Sequence, residues 1–163
     1  MTFTLSPLTA DDREPVLAIF NHYVVNSFAA YPENEVPPAF YDTLLGMCRG
    51  YPNAAVRDAA SEVVGFGLLR PFHPASTFAA SAEISYFLRP EATGQGVGER
   101  LLDFLLDGAR KQGITQVVAS ISSRNEGSLR FHQRHGFVEC GRFRDIGRKR
   151  GEAFDVVYCQ RTL

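Results

Sequence analysis

Apolar and polar positions change their period several times along the chain, and each change marks an element. "FTLSPLT" alternates briefly and predicts a short first strand. Behind it, Thr9 and Asp12 have the spacing of a capping box, and Asp11 and Asp12 suit the first turn of a helix. Leu17, Phe20 and Val24 then share one helical face as far as about Ser27. "FAAYPENEVPP" reads as a loop and "AFYDTLLGMCR" as a second helix. From Ala54 the pattern becomes strand-like, in "AAVRDA", "EVVGFGLLRPF" and, after the loop "HPASTFAA", "SAEISYFL". A third helix opens at the glycines of "TGQGVG" and ends before Gly113, which suits a C′ position. "TQVVASI" predicts a buried strand. "NEGSLRFHQRHGF" predicts a short helix capped by Asn125 and stopped at Gly136. "GFVECGRFRDI" and "AFDVVYCQ" form a hairpin around "GRKRGE". The order βααβββαβαββ predicts an α/β (α+β) fold, a mixed sheet with helices on both faces.

Composition narrows the class. The 163 residues carry no repeat or linker, so one domain over residues 1–163 is expected. A net charge of -1 gives no electrostatic case for nucleic acid or an anionic membrane surface. The opening residues meet acids and a proline before a long apolar run forms, so no secretory signal is expected, and no run is long enough to span a bilayer. Cys48, Cys140 and Cys159 are odd in number and lack metal-ligand spacing. A reduced, cytoplasmic compartment and no metal are the expectation.

Three features carry candidate chemistry. Glycines before a helix let the backbone approach an anion at the unpaired N–H groups of the helix end, so "TGQGVG" can cradle a phosphate or pyrophosphate, or be a plain tight turn. It matches neither GxxxxGK[ST] nor GxGxxG. Glu83 shares a strand face with Ser85 and Phe87. Its carboxylate is either a desolvated base with a raised pKa or the partner of an arginine such as Arg70. Asn125, Ser128 and His132 fall on one helical stripe, where His132 is a second proton-transfer candidate or a core histidine, and His135 reads as structural. The basic run Arg142, Arg144, Arg148, Lys149 and Arg150 reads as a solvated hairpin.

Together, "TGQGVG" after the fourth strand and "NEGSLRFHQRHGF" resemble the GCN5-related N-acetyltransferase (GNAT) superfamily. "IFNHYV", "AEISYFLRP", "SLRFHQRHGF", "RFRDIGRK" and "DVVYCQR" resemble its phosphinothricin and methionine sulfoximine N-acetyltransferase branch. The resemblance implies a mostly antiparallel GNAT-type sheet and acetyl-CoA as co-substrate. It implies that the pyrophosphate binds at Thr93, Gly94, Gln95, Gly96, Val97 and Gly98, and the pantetheine arm along Tyr86, Phe87 and Leu88. Asn125, Ser128 and Phe131 complete the cofactor side. Glu83 and His132 fall on the branch's catalytic pair, and Asn21, His22, Tyr23, Phe72 and Phe78 are expected at the substrate. A small-molecule amine would attack directly in a ternary complex, and a homodimer is expected. Thr93 stands where Arg or Gln is usual. Ala75 and Phe78 stand where the branch carries Arg and Tyr, which implies a more apolar acceptor pocket with Arg70 or His73 as replacement cations. A GNAT acting on a polyamine, an aminoglycoside or a protein N-terminus, or a non-catalytic acyl-CoA-binding module, are the alternatives.

Overall fold

The structure, a computed structural model, describes residues 2–163. Strand β1 (Thr4–Ser6) leads through a 3-10 turn at Ala10–Asp12 into α1 (Arg13–Asn26) and then α2 (Phe40–Met47). Strands β2 (Asn53–Arg57), β3 (Val63–Pro71) and β4 (Ser81–Leu88) follow. After them come α3 (Val97–Lys111), β5 (Gln116–Ser122), α4 (Glu126–Arg134), β6 (Val138–Lys149) and β7 (Glu152–Thr162). This is the order that the sequence pattern predicts. The sheet runs β1-β2-β3-β4-β5-β7-β6 and is antiparallel everywhere except between β4 and β5, which the α3 crossover makes parallel.

Local chemistry sets the element ends. Asp12 reaches back to the Thr9 N–H at 2.9 Å and the Thr9 hydroxyl at 3.1 Å, while its other oxygen accepts from Arg57 at 2.6 Å. The buried acid that starts the first helix is therefore fully partnered. Each face of the sheet has its own core. Leu101, Leu102, Leu105 and Leu106 of α3 pack on Ile84, Val117 and Ile121. On the other face, Val16, Leu17 and Ile19 of α1 and Leu44 of α2 pack on Phe66 and Leu68. β3 is covered from both sides, which explains its unbroken apolar run. Gly67 allows a close approach of the α3 core: a Cβ there would meet Tyr86, Leu101 and Leu105 at 3.0–3.1 Å.

The break in the sheet positions the site. β4 and β5 pair only over Ser81–Glu83 and Gln116–Val118. β4 then continues along β3 to Leu88, while β5 stays with β7 as far as Ser122. The two strands separate beyond Glu83 and leave a wedge between them.

The last hairpin corrects the sequence expectation. β6 extends through Lys149, and the connection is only Arg150-Gly151, both at positive φ (51° and 76°), a type I′ turn. Lys149 is not solvated. It is 1% exposed, and its Nζ donates to the carbonyls of Ser27 at 2.8 Å and Ala30 at 2.7 Å. Among the described residues, no helix is long and apolar enough to cross a membrane.

Candidate active site

The wedge opens into a cleft of about 1090 Å³ that crosses the sheet. At one end lies the glycine loop. The first i→i−4 bond of α3 runs from Arg100 N–H to Gly96 C=O at 3.1 Å, so the preceding amides of the helix have no carbonyl one turn back. Gly94 and Gly96 hold positive φ (71° and 76°), and a Cβ on either would meet nothing within 4 Å. Thr93 Oγ1 donates to Pro90 C=O, and Gln95 Nε2 to Glu91 C=O, both at 2.6 Å. Those side chains brace the loop, and the Val97 side chain is buried in the core, so the loop presents main chain to the cleft. An exposed backbone cradle at the start of a 15-residue helix fits a pyrophosphate. Phe131 lies across from Gly98, where a Cβ would be 3.5 Å from its ring. Asn125 caps α4 by accepting from Ser128 N–H at 3.3 Å, and both residues line the cleft. Arg134 and His135 at the end of α4 line it as well, a basic contribution that the sequence pattern did not single out.

Along β4, Arg89 N–H bonds back to Val64 C=O, and Ala80 C=O accepts from Thr115 and Gln116 on the β5 side. Backbone direction alternates along a strand. Tyr86 and Leu88 therefore turn their amides into the wedge, whereas Phe87 turns its amide towards β3, which removes it as a backbone contact. The Phe87 ring packs instead on Phe20, Tyr23 and Phe66, with centroids 5.2–5.7 Å away. The Leu88 carbonyl accepts from Tyr23 OH at 2.6 Å, leaving the Leu88 N–H as the free group there.

Glu83 stands at the vertex of the wedge. It is not the isolated, desolvated acid of the first expectation. Its Oε1 accepts from Arg70 Nη2 at 2.7 Å, and both side chains are partly exposed to the cleft. The register pairs Arg70 directly with Glu83 across the β3–β4 ladder, which is why the alternation in the two strands could signal this contact. Tyr31, from the loop between α1 and α2, bonds Ser120 of β5 at 3.0 Å across the cleft. Neither residue carries a sequence signal, because the contact joins positions 89 residues apart.

His132 is 4% exposed. Its Nδ1 lies 2.8 Å from Ser128 C=O and its Nε2 2.7 Å from Tyr86 OH, and the two rings stack at 5.5 Å. Burial pushes the His132 pKa below the ordinary 6.5 and His135 adds to this, while the bond to Ser128 opposes them. Burial likewise pushes the Tyr86 phenol far up. At neutral pH the pair is a neutral imidazole and an intact phenol.

The residues expected at the substrate divide. Tyr23 lines the cleft, but Asn21, His22, Phe72 and Phe78 do not. The Asn21 amide bonds the main chain of Val36 in both directions, at 3.3 and 2.9 Å, and pins the loop after α1. His22 is on the exposed side of α1 beside Asn26. Phe72 and Phe78 are 41% and 39% exposed and pack on each other and His73 at the β3–β4 connection. Beside Tyr23 the cleft is lined instead by Phe20, Phe40, Leu44, Met47 and Leu68, with Arg70 in the lining and His73 outside it. This part of the lining is mostly apolar, although Ala75 and Phe78 do not belong to it.

A two-faced α/β sheet split at one parallel pair, with a helix-end cradle and a paired carboxylate in the same cleft, defines a group-transfer enzyme fold. The family model described as Acetyltransferase (GNAT) domain matches residues 2–138, and the chain belongs to that family. An L-methionine sulfoximine/L-methionine sulfone acetyltransferase of Pseudomonas aeruginosa is 35% identical over 156 residues, covering 93% of this chain and 90% of that one. A phosphinothricin N-acetyltransferase of Streptomyces coelicolor is 29% identical over 161 residues, covering 96% and 94%. The crystal structure of a GNAT phosphinothricin acetyltransferase from Sinorhizobium meliloti in complex with AcCoA superposes with a TM-score of 0.93. It is 29% identical, covering 100% of this chain and 89% of that one.

Proposed function

We propose that the chain, as one catalytic domain over residues 1–163, transfers the acetyl group of acetyl-CoA to the primary amine of a small, amino-acid-like molecule, by direct attack in a ternary complex. The observation that carries this reading is the Arg70–Glu83 pair at the vertex of the cleft, opposite the glycine cradle. An α-amino acid presents an ammonium and a carboxylate side by side. Glu83 and Arg70 offer the complementary charges at hydrogen-bond distance from each other, and the guanidinium fork has donors left for a carboxylate. Phe20, Phe40, Leu44 and Met47 suit an uncharged side chain. The named relatives that act on methionine sulfoximine and phosphinothricin agree with that chemistry.

Bound acetyl-CoA supplies the activated acetyl thioester. The main chain of Gly94 to Gly98 holds the pyrophosphate, and the wedge-facing main chain of Tyr86 holds the arm as a strand would. The free Leu88 N–H stabilises the oxygen on which negative charge develops. Glu83 removes a proton from the bound ammonium, and His132 takes part in the later proton transfer. A cytoplasmic location, where exposed Cys140 stays reduced, and a homodimer belong to the same reading. The exposed Val138, Phe143 and Ile146 on the edge strand β6 support the dimer.

Thiol release from acetyl-CoA tests the proposal on methionine sulfoximine, phosphinothricin, methionine and the decarboxylated analogue of methionine. The amino acids should turn over and the decarboxylated amine should be poor. Glu83→Gln should lower kcat on the order of a hundredfold. Equal turnover of the decarboxylated amine would end the amino-acid assignment, and an unchanged rate in Glu83→Gln would end that of the base.

A further inference from the structure

Both ring nitrogens of His132 are already engaged within the fold. Ser128 C=O at 2.8 Å has no proton to give and is a shorter contact than Ser128 Oγ at 3.2 Å, which assigns the proton to Nδ1 and the lone pair to Nε2. That lone pair is covered by Tyr86 OH at 2.7 Å. Tyr86 stacks on one face of the ring, while Phe131 and Phe137 meet it nearly perpendicularly, with centroids at 5.8 and 4.9 Å. No nitrogen of the imidazole is left for the cleft. Tyr86 and His132 both reach the lining of the cleft, and Tyr86 is the more exposed of the two. It leaves β4 on the face opposite Glu83, so the two side chains approach the reacting centre from two sides.

We propose that Tyr86 is a catalytic residue of this enzyme: its phenol takes a proton from the attacking amine while passing its own proton to His132 Nε2. The inference rests on the acetyltransferase reading above and deepens it. Two protons must leave the substrate ammonium. Glu83 accepts the first, which frees the nitrogen lone pair. As the nitrogen–carbon bond forms, the second proton moves to the Tyr86 oxygen and the phenol proton moves to Nε2, giving an imidazolium whose Nδ1–H stays on Ser128 C=O. The carbon–sulfur bond breaks with its electron pair on sulfur. The same path run backwards, Nε2 to Tyr86 oxygen and Tyr86 to sulfur, then delivers that proton. The second proton has moved from nitrogen to sulfur, and both side chains return to their starting forms. Because the resting imidazole and phenol are both neutral, the pair starts as an acceptor rather than as a donor. His135, the residue after α4, is a titratable group near the ring and lies 3.8 Å from Glu99 of α3.

The test compares the wild type, Tyr86→Phe, His132→Gln and the double variant on methionine sulfoximine. It adds the ring ¹⁵N resonances of His132 in the protein without acetyl-CoA. Each single change should lower kcat on the order of a hundredfold. The double variant should be no slower than the slower single, as for two groups that act as a unit. At neutral pH His132 should give one protonated nitrogen, Nδ1, and one unprotonated, hydrogen-bonded nitrogen, Nε2. Only the Nε2 signal should move in Tyr86→Phe. Wild-type kcat in Tyr86→Phe, or losses that multiply in the double variant, would overturn the relay. An unmoved Nε2 signal would overturn it without any turnover measurement. Impairment in His132→Gln alone would leave His132 in the mechanism and remove Tyr86. Wild-type rates in both singles would remove His132 too, and failure of methionine sulfoximine to react at all would count against the substrate class while the ¹⁵N signals still decide the pair.

Discussion

Lys149 holds an ammonium almost out of contact with solvent, and its partners are two carbonyls rather than a carboxylate. One of them, Ser27 C=O, lies at the end of α1, where the helix dipole is negative and favours a cation. The other, Ala30 C=O, belongs to the loop that carries Ala29, Ala30 and Tyr31 to the cleft. Burial, and then the charge of neighbouring Arg150, pull the lysine pKa down, while Glu33 opposes them. Lys149→Met keeps most of the stem; Ser27 C=O retains Arg150 Nη2 at 3.3 Å, but Ala30 C=O loses this donor, at about 1–3 kcal/mol. Urea denaturation should report a lower midpoint. KM for the amine should rise while KM for acetyl-CoA stays put, because only the acceptor wall of the cleft depends on that loop. An unchanged midpoint would mean that the Ala30 carbonyl finds another donor.

At the scale of elements, the glycine loop and α3 act together: the loop conformation sets where the free amides of the helix point. Gly96 adopts φ 76° with open space where a Cβ would be, so Gly96→Ala tests backbone conformation without a steric clash. The left-handed conformation costs a non-glycine residue about 1–2 kcal/mol. The variant should fold, and its KM for acetyl-CoA should rise several-fold with little change in the amine KM. An unaltered KM would show that the cradle does not depend on that conformation. Features of this kind were legible in the sequence because their causes are local. The glycines, the Asn125 cap and the Thr9–Asp12 pair are each settled within a few residues. The cross-strand Arg70–Glu83 contact was half legible, since alternation places both residues but not the register. The contacts of Tyr86 with His132, Tyr31 with Ser120 and Lys149 with Ala30 were not legible, because each joins distant segments along a path that no periodicity encodes. Phe72 and Phe78 fell on the wrong side of the site for a related reason. They lie where the strands end and a 3-10 turn at Ser76–Phe78 takes over, beyond the reach of an alternation argument.

For the whole molecule, the β4–β5 junction is a weak seam in the middle of the sheet, with three register pairs where the adjacent ladders have seven. Acetyl-CoA lying in the wedge would bond to the side of β4 that lacks a neighbour and join the two halves of the sheet. At a hundredfold excess over its Kd, a ligand that binds only the folded state adds about 2.7 kcal/mol. For a chain of this size that corresponds to a rise in Tm of about 5–10 °C. Amide exchange at Tyr86 and Leu88 should slow along with that at the glycine loop. Slowing confined to Thr93–Gly98 would mean that the arm does not use the strand. With acetyl-CoA bound in the wedge, the lifetime of the protein would follow the supply of that ligand. Proteases act on transiently opened chains in proportion to how often they open. A cell short of acetyl-CoA would then clear this enzyme faster than a well-supplied one, with no dedicated regulator.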